Sequence, residues 1–404
     1  MLEKVIVLRD LAKASLAGAF ASRTVSRGLD MAGRIAVLAR EFRETVPPEV
    51  KMDVAELNRR EVRDLGRDPD VMAVTLPMPT KLVEPVGVPA AAGAAWGIAA
   101  VGADKSTFTG KGVVVAVLDT GIDASHPAFA GVNLIEQDFS GSGNGDRQGH
   151  GTHCAGTIFG RDVEGKRIGV ARGVSQALIG KVLADEGGSS EMLFSGLLWA
   201  LQNKANVISM SLGFDFPGMV DYLVKKRGYD IRPATSQALE AYRANLRMFD
   251  SIMEIRQSYE AFAPGSVVVA AAGNESKRPQ YEISVGLPAA AEDVISVGAL
   301  NPSETSPGTY VMGSFSNTLP DVVAPGVNVT SARAGGGLTS LTGTSMACPH
   351  VAGVAALWWE AARTEGTVTR AGSIIGKVTA MARSNVFEPG IDMGGVGRGL
   401  VAAP

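Results

Sequence analysis

The chain of 404 residues carries 38 basic against 41 acidic side chains, and its formal charge of −3 excludes the cationic excess that a nucleic acid or an anionic membrane surface needs. Apolar residues make up 46%, enough for a sizeable core over two or three domains, so the chain as a whole is not disordered; its 49 glycines follow no three-residue period and imply many tight turns. Glu3, Lys4, Arg9, Asp10 and Lys13 stand where a secretory leader needs an unbroken apolar stretch, and there are only 2 cysteines. A cytoplasmic location is therefore the default, unless export runs by another route or a leader precedes this sequence.

Residues 1–84 hold 14 Lys or Arg, 13 Asp or Glu and only 4 of the glycines. The first apolar strand is expected over Lys4 to Leu8, a second over Val50 to Val54, a charged helix over Glu56 to Arg67, and a strand over Val71 to Leu76 after the stop Asp68-Pro69-Asp70. That pattern is a small α+β domain. Residues 85–103 are uncharged until the end but interrupted by Gly87, Pro89, Gly93 and Gly97, which makes them a linker rather than a membrane span.

Beyond the linker, residues 104–404 repeat short apolar runs at Val113 to Leu118, Ala177 to Leu183, Val207 to Met210, Val267 to Ala272 and Val294 to Val297. Each is apolar on both faces, as a buried parallel strand is. Helical patterns intervene at His150 to Phe159, Glu191 to Gln202 and Ser345 to Ala362. The expected fold class is α/β, a doubly wound, mostly parallel sheet with reactive residues at the carboxyl ends of its strands. Around 215–263 lies a stretch with Leu239, Tyr242, Leu246, Phe249, Ile252 and Met253 near helical spacing, read as a helical insert packed on the surface of this domain, where it adds stability or narrows access to a cleft.

Three segments place a reactive side chain beside glycine at an element end. Val-Leu-Asp119-Thr-Gly delivers a carboxylate from a buried strand, although one turn aspartate alone proves little. Gly149-His150-Gly-Thr-His153-Cys154 opens a helix with two histidines; the companion acid of an HExxH metal site is missing, so His150 reads as a base and His153 as a structural residue. Gly343-Thr-Ser345-Met-Ala-Cys348-Pro starts another helix, where Ser345 is either a plain N-cap or a nucleophile activated by an imidazole.

Together they supply acid, base and nucleophile in the order Asp, His, Ser, and from about Trp96 to Leu357 the sequence resembles the subtilisin-like serine proteases. The resemblance includes Val267-Val-Val-Ala-Ala-Ala-Gly-Asn274. It implies a serine endopeptidase in which Ser345 attacks, His150 moves the proton, Asp119 orients His150, and Asn274 binds the oxyanion with the Ser345 backbone N–H. It further implies that protein or peptide substrates lie extended between Gly187-Gly188-Ser189 and Ser211-Leu212-Gly213, above a pocket walled by Ser211 to Gly213 and by Ala271-Ala272-Gly273, with Gly286 near its base. Residues 1–84 resemble the family's propeptide, a folding aid and intramolecular inhibitor, so a self-processing zymogen is expected with its cut between about Leu76 and Trp96.

No cofactor is required for that chemistry. The family commonly reads His-Pro-Asp after the catalytic Asp, with the second Asp on a structural calcium; His126-Pro127-Ala128 lacks it, which leaves Asp162 and Glu164 as the calcium candidates. Cys154 and Cys348 are expected as buried free thiols near the centre. Two other readings are weighed: a catalytically silent peptide-binding scaffold, against which the complete residue set argues, and an esterase-type acyl hydrolase, whose G-x-S-x-G elbow is absent around Ser345.

Overall fold

A computed structural model describes residues 2–12, 47–87, 93, 95–366 and 369–404. Residues 13–46 of the expected N-terminal domain and 88–92 and 94 of the expected linker lie outside them. The chain divides into two compact units, one joining residues up to Pro79 to Asp215–Gly265, the other joining Thr80–Phe214 to Ser266–Pro404.

In the first unit Glu3–Asp10 is the central strand of an antiparallel sheet, flanked by Val50–Leu57 and Val71–Thr75. The strand runs three residues further than expected before its helix, because Asn58 stops it: the Asn58 side chain accepts from the Arg60 and Glu61 amides at 2.9 and 3.1 Å, and Glu61 accepts from the Asn58 amide at 2.7 Å. This reciprocal cap fixes the helix at Arg59–Leu65.

The insert differs from expectation in number and in allegiance. It forms two helices, Phe216–Lys225 and Ile231–Tyr259, and belongs with the N-terminal sheet rather than with the larger unit. The reason is the apolar stripe Ala234, Ala238, Ala241, Met248, Phe249 and Ile252, which is buried as the long helix packs against Val71–Thr75. Asn245 sits within that stripe, and its amide donates to Thr75 Oγ1 at 2.8 Å and to the Leu76 carbonyl at 2.9 Å.

In the second unit the sheet order is Tyr310–Met312, Val294–Pro302, Val267–Ala271, Val207–Met210, Val114–Asp119, Gln176–Lys181, Asn133–Asp138, with Val322–Pro325 also paired to Val294–Pro302. All these pairings are parallel except that of Tyr310–Met312. The helices His150–Phe159 and Thr344–Thr364 are buried at nearly every position, so their apolar composition reads as core all round. Asn133–Asp138 escapes the apolar-run criterion because it is an edge strand with alternating exposure. Among the described residues no helix is long and apolar enough to cross a membrane.

Candidate active site

Asp119 ends its strand and His150 begins its helix, so both side chains stand at the carboxyl edge of the sheet. Asp119 Oδ1 accepts the Thr120 amide at 2.8 Å and lies 2.8 Å from His150 Nδ1, with both side chains buried. His150 Nε2 is buried and has no partner among the described residues. A carboxylate on Nδ1 holds the proton there and leaves Nε2 with its lone pair free, the tautomer a base requires.

Asp146, which sequence reasoning passed over, fixes the entry to that helix. Its carboxylate accepts Thr120 Oγ1 and the Gly149 amide through one oxygen, at 2.9 and 2.8 Å, and Thr152 N and Oγ1 through the other, at 2.8 and 2.6 Å. Gly149 takes φ 88°, a conformation that glycine adopts at no steric cost. The only legible signal was an acid in a glycine-rich loop ahead of His150.

Ser345, the second residue of its helix, is buried and does not bond His150; its Oγ donates to the Val83 carbonyl at 2.7 Å, with the Ser211 carbonyl at 3.4 Å. Asn274 Oδ1 accepts Thr344 N and Oγ1, each at 2.9 Å, while its amide donates to the Glu84 carbonyl at 2.8 Å. Thr344 Oγ1 also accepts the Gly273 amide at 3.2 Å. Thr344 therefore ties the helix start to the strand that carries Asn274.

The proposed walls surround the same segment. Pro79–Leu82 is the inner strand of a small sheet, between Leu212–Phe214 on one side and Gly187–Ser189 on the other. A side chain at Gly188 would collide with the Val182 carbonyl at 2.4 Å and Thr80 Oγ1 at 2.8 Å, so glycine lets the two strands approach. Ser189 caps the next helix through Met192 N, and Ser211 Oγ donates to the Ser345 carbonyl at 3.2 Å. Ala271, Ala272 and Gly273 are buried, and Gly286 has open space beside it.

His153 is fully enclosed, 3.0 Å from the Val329 carbonyl through Nε2, and burial together with the charge of His150 pushes its pKa down to about 3. Cys154 donates to the Ser345 carbonyl at 3.4 Å, and Cys348 lies 3.5 Å from Ser209 Oγ. Both thiols are free; burial pushes Cys154 well up and Cys348 up to about 11, so both stay protonated and unreactive.

Asp162 faces Arg172 at 3.5 Å, and Ala128 offers only its carbonyl, which accepts the Arg161 amide at 2.7 Å. The cation in this loop belongs to the chain: the Arg161 guanidinium donates to the carbonyls of Phe159, Arg172 and Val174, and Arg167 donates to those of Gly169 and Val170. A calcium ion at those carbonyls would compete with these guanidinium groups. Arg161→Met should lose about 2–3 kcal/mol of stability, seen as a lower urea midpoint, without calcium restoring it. Full recovery in millimolar calcium would mean that the loop retains a metal site.

Residues 110–383 match the subtilase family, peptidase S8. The chain is 37% identical over 266 residues to subtilisin DY of Bacillus licheniformis, covering 65% of this chain and 83% of that protein. It is 35% identical over 258 residues to the major intracellular serine protease of Bacillus subtilis (strain 168), 61% of this chain and 68% of that one. Subtilisin E of the same organism is 33% identical over 315 residues, 76% of this chain and 70% of that protein.

Proposed function

Because the chain belongs to the subtilase family and is a subtilisin-like serine endopeptidase, we propose that Ser345 attacks the peptide carbonyl, His150 carries the proton, Asp119 orients the imidazole and Asn274 donates to the oxyanion. The observation that carries this assignment is the 2.8 Å contact of Asp119 with His150 Nδ1, which leaves Nε2 as the buried nitrogen with no partner among the described residues. Subtilase catalysis needs no cofactor. Substrates are extended protein segments added as a strand between Gly187–Ser189 and Leu212–Phe214, the seat taken here by the chain's own Thr80 to Leu82. Residues 1–84 are accordingly read as a prosegment that inhibits the site it is later cut from. An intracellular setting fits the two buried, unpaired cysteines.

Asn274→Ala should lower kcat on a peptide substrate about 10²–10³-fold with little change in KM, a magnitude taken by analogy from the corresponding loss in subtilisin. Steady-state kinetics of the processed protein tests it. An unchanged kcat would remove Asn274 from the oxyanion site.

A further inference from the structure

We infer that the chain cuts itself between Val83 and Glu84. The inference rests on the zymogen reading above and narrows it to one bond.

The strand ahead of the bond is seated as a substrate. Thr80, Lys81 and Leu82 pair antiparallel with Phe214, Gly213 and Leu212, which fixes the register of the segment against the cleft edge. Val83 is the first residue beyond the strand. Its side chain is buried, and a Cβ placed on Gly213 would lie 3.6 Å from its Cγ2, so the side chain fills the space that the absence of a side chain at Gly213 leaves. Among the carbonyls of this segment, that of Val83 accepts the Ser345 hydroxyl.

The adjacent candidate, Glu84–Pro85, has its carbonyl on the Asn274 amide, but the Ser345 hydroxyl bonds the Val83 carbonyl instead, and the leaving nitrogen of Glu84–Pro85 belongs to a proline ring that adds bulk where the amine must depart. Nucleophile and oxyanion donor thus grip successive carbonyls, Val83 and Glu84. Cleavage requires the Val83 carbonyl to turn onto the Asn274 amide in place of that of Glu84 while the pairing of Thr80 to Leu82 holds, so the seated bond is cut slowly.

The chemistry balances within the site. The Ser345 Oγ–C bond forms at Val83 while the hydroxyl proton passes to His150 Nε2. The Val83–Glu84 C–N bond then breaks as that proton moves to the Glu84 nitrogen, which leaves as an α-amine. Water hydrolyses the Val83 ester by the same proton route and restores Ser345. The leaving segment has a seat: a cavity of about 430 Å³ lined by Glu84, Pro85, Arg147, His150 and Arg333 opens on that side.

The test is intact-mass analysis of the full chain at early times, with the first fragment pair identified. The expected pair is 1–83 and 84–404, and Val83→Asp should slow its appearance at least tenfold by forcing a charge into an apolar pocket. As a measurement independent of folding, a synthetic peptide spanning residues 78–87, given to processed enzyme, should be cut between its Val and Glu. A Ser345-dependent first cut at any other bond would overturn the assignment and leave the zymogen reading standing. Absence of any Ser345-dependent cut, in a protein that hydrolyses added peptides, would overturn both.

Discussion

Ser345→Ala is expected to stay full length indefinitely and to lose about a million-fold in turnover of any added peptide, a magnitude carried over from the same loss in subtilisin. The expectation follows from the geometry of the site. In the proposed mechanism the Asp119–His150 pair accepts one proton, and Ser345 combines a hydroxyl, a helix start and contact with a seated peptide carbonyl. Folding should be unaffected, since the contacts of Thr344 with Asn274 that hold the helix start do not involve the Ser345 hydroxyl. Mass spectrometry of the purified variant, free of other proteases, checks the first half, and peptide turnover the second. Continued self-processing would require another nucleophile.

Acid should unfold this protein well before its carboxylates are exhausted. His153 and His350 are both sealed in the core, where burial pushes their pKa values to about 3 and about 4. His350 is packed so closely against Gly97 that a Cβ there would sit 2.1 Å from its Nε2. In the unfolded chain both imidazoles bind protons below about 6.5, whereas the folded chain keeps them neutral until the pH approaches their depressed values. The stability contributed is therefore complete above about pH 6.5 and is lost as the pH falls towards 4. With two protons at about 1.36 kcal/mol per pH unit each, about 5 kcal/mol should disappear between pH 6.5 and 4.5. Urea unfolding of Ser345→Ala, which cannot digest itself, measures it directly. A midpoint constant across that interval would show that the two rings are not neutral inside the fold.

Most of the second unit was legible because its elements are buried. Strands such as Val207–Met210 and helices such as His150–Phe159 lie at the expected residues, since apolar runs bounded by glycine leave few alternatives. Asp119, His150 and Ser345 stood out for a different reason, since each lies beside glycine at an element end, whereas Asn274 was singled out only through the resemblance to the family. What escaped depends on partners distant in sequence. Arg161 and Arg167 look like solvated surface charge until their carbonyls are assembled around them. Pro79–Leu82, framed by prolines, has no strand signature of its own and becomes one only between two waiting edges. The long helix was recognised by its stripe, but a stripe does not say which surface covers it.

On the zymogen reading proposed above, that helix would make residues 1–83 a bivalent ligand. Its sheet is held on the Ile231–Tyr259 helix, which remains in the chain after any cut near Val83, and its tail is held in the cleft by strand pairing. Cleavage severs the covalent link without loosening either hold. Whenever the tail slips out, the sheet keeps it at high effective concentration and returns it, and each attachment shields the other from dilution. On that reading hydrolysis and activation would be separate events with separate clocks. Free enzyme would emerge when both holds are lost together or when another active molecule digests the released segment, so that the first few active molecules would set the pace for all the rest.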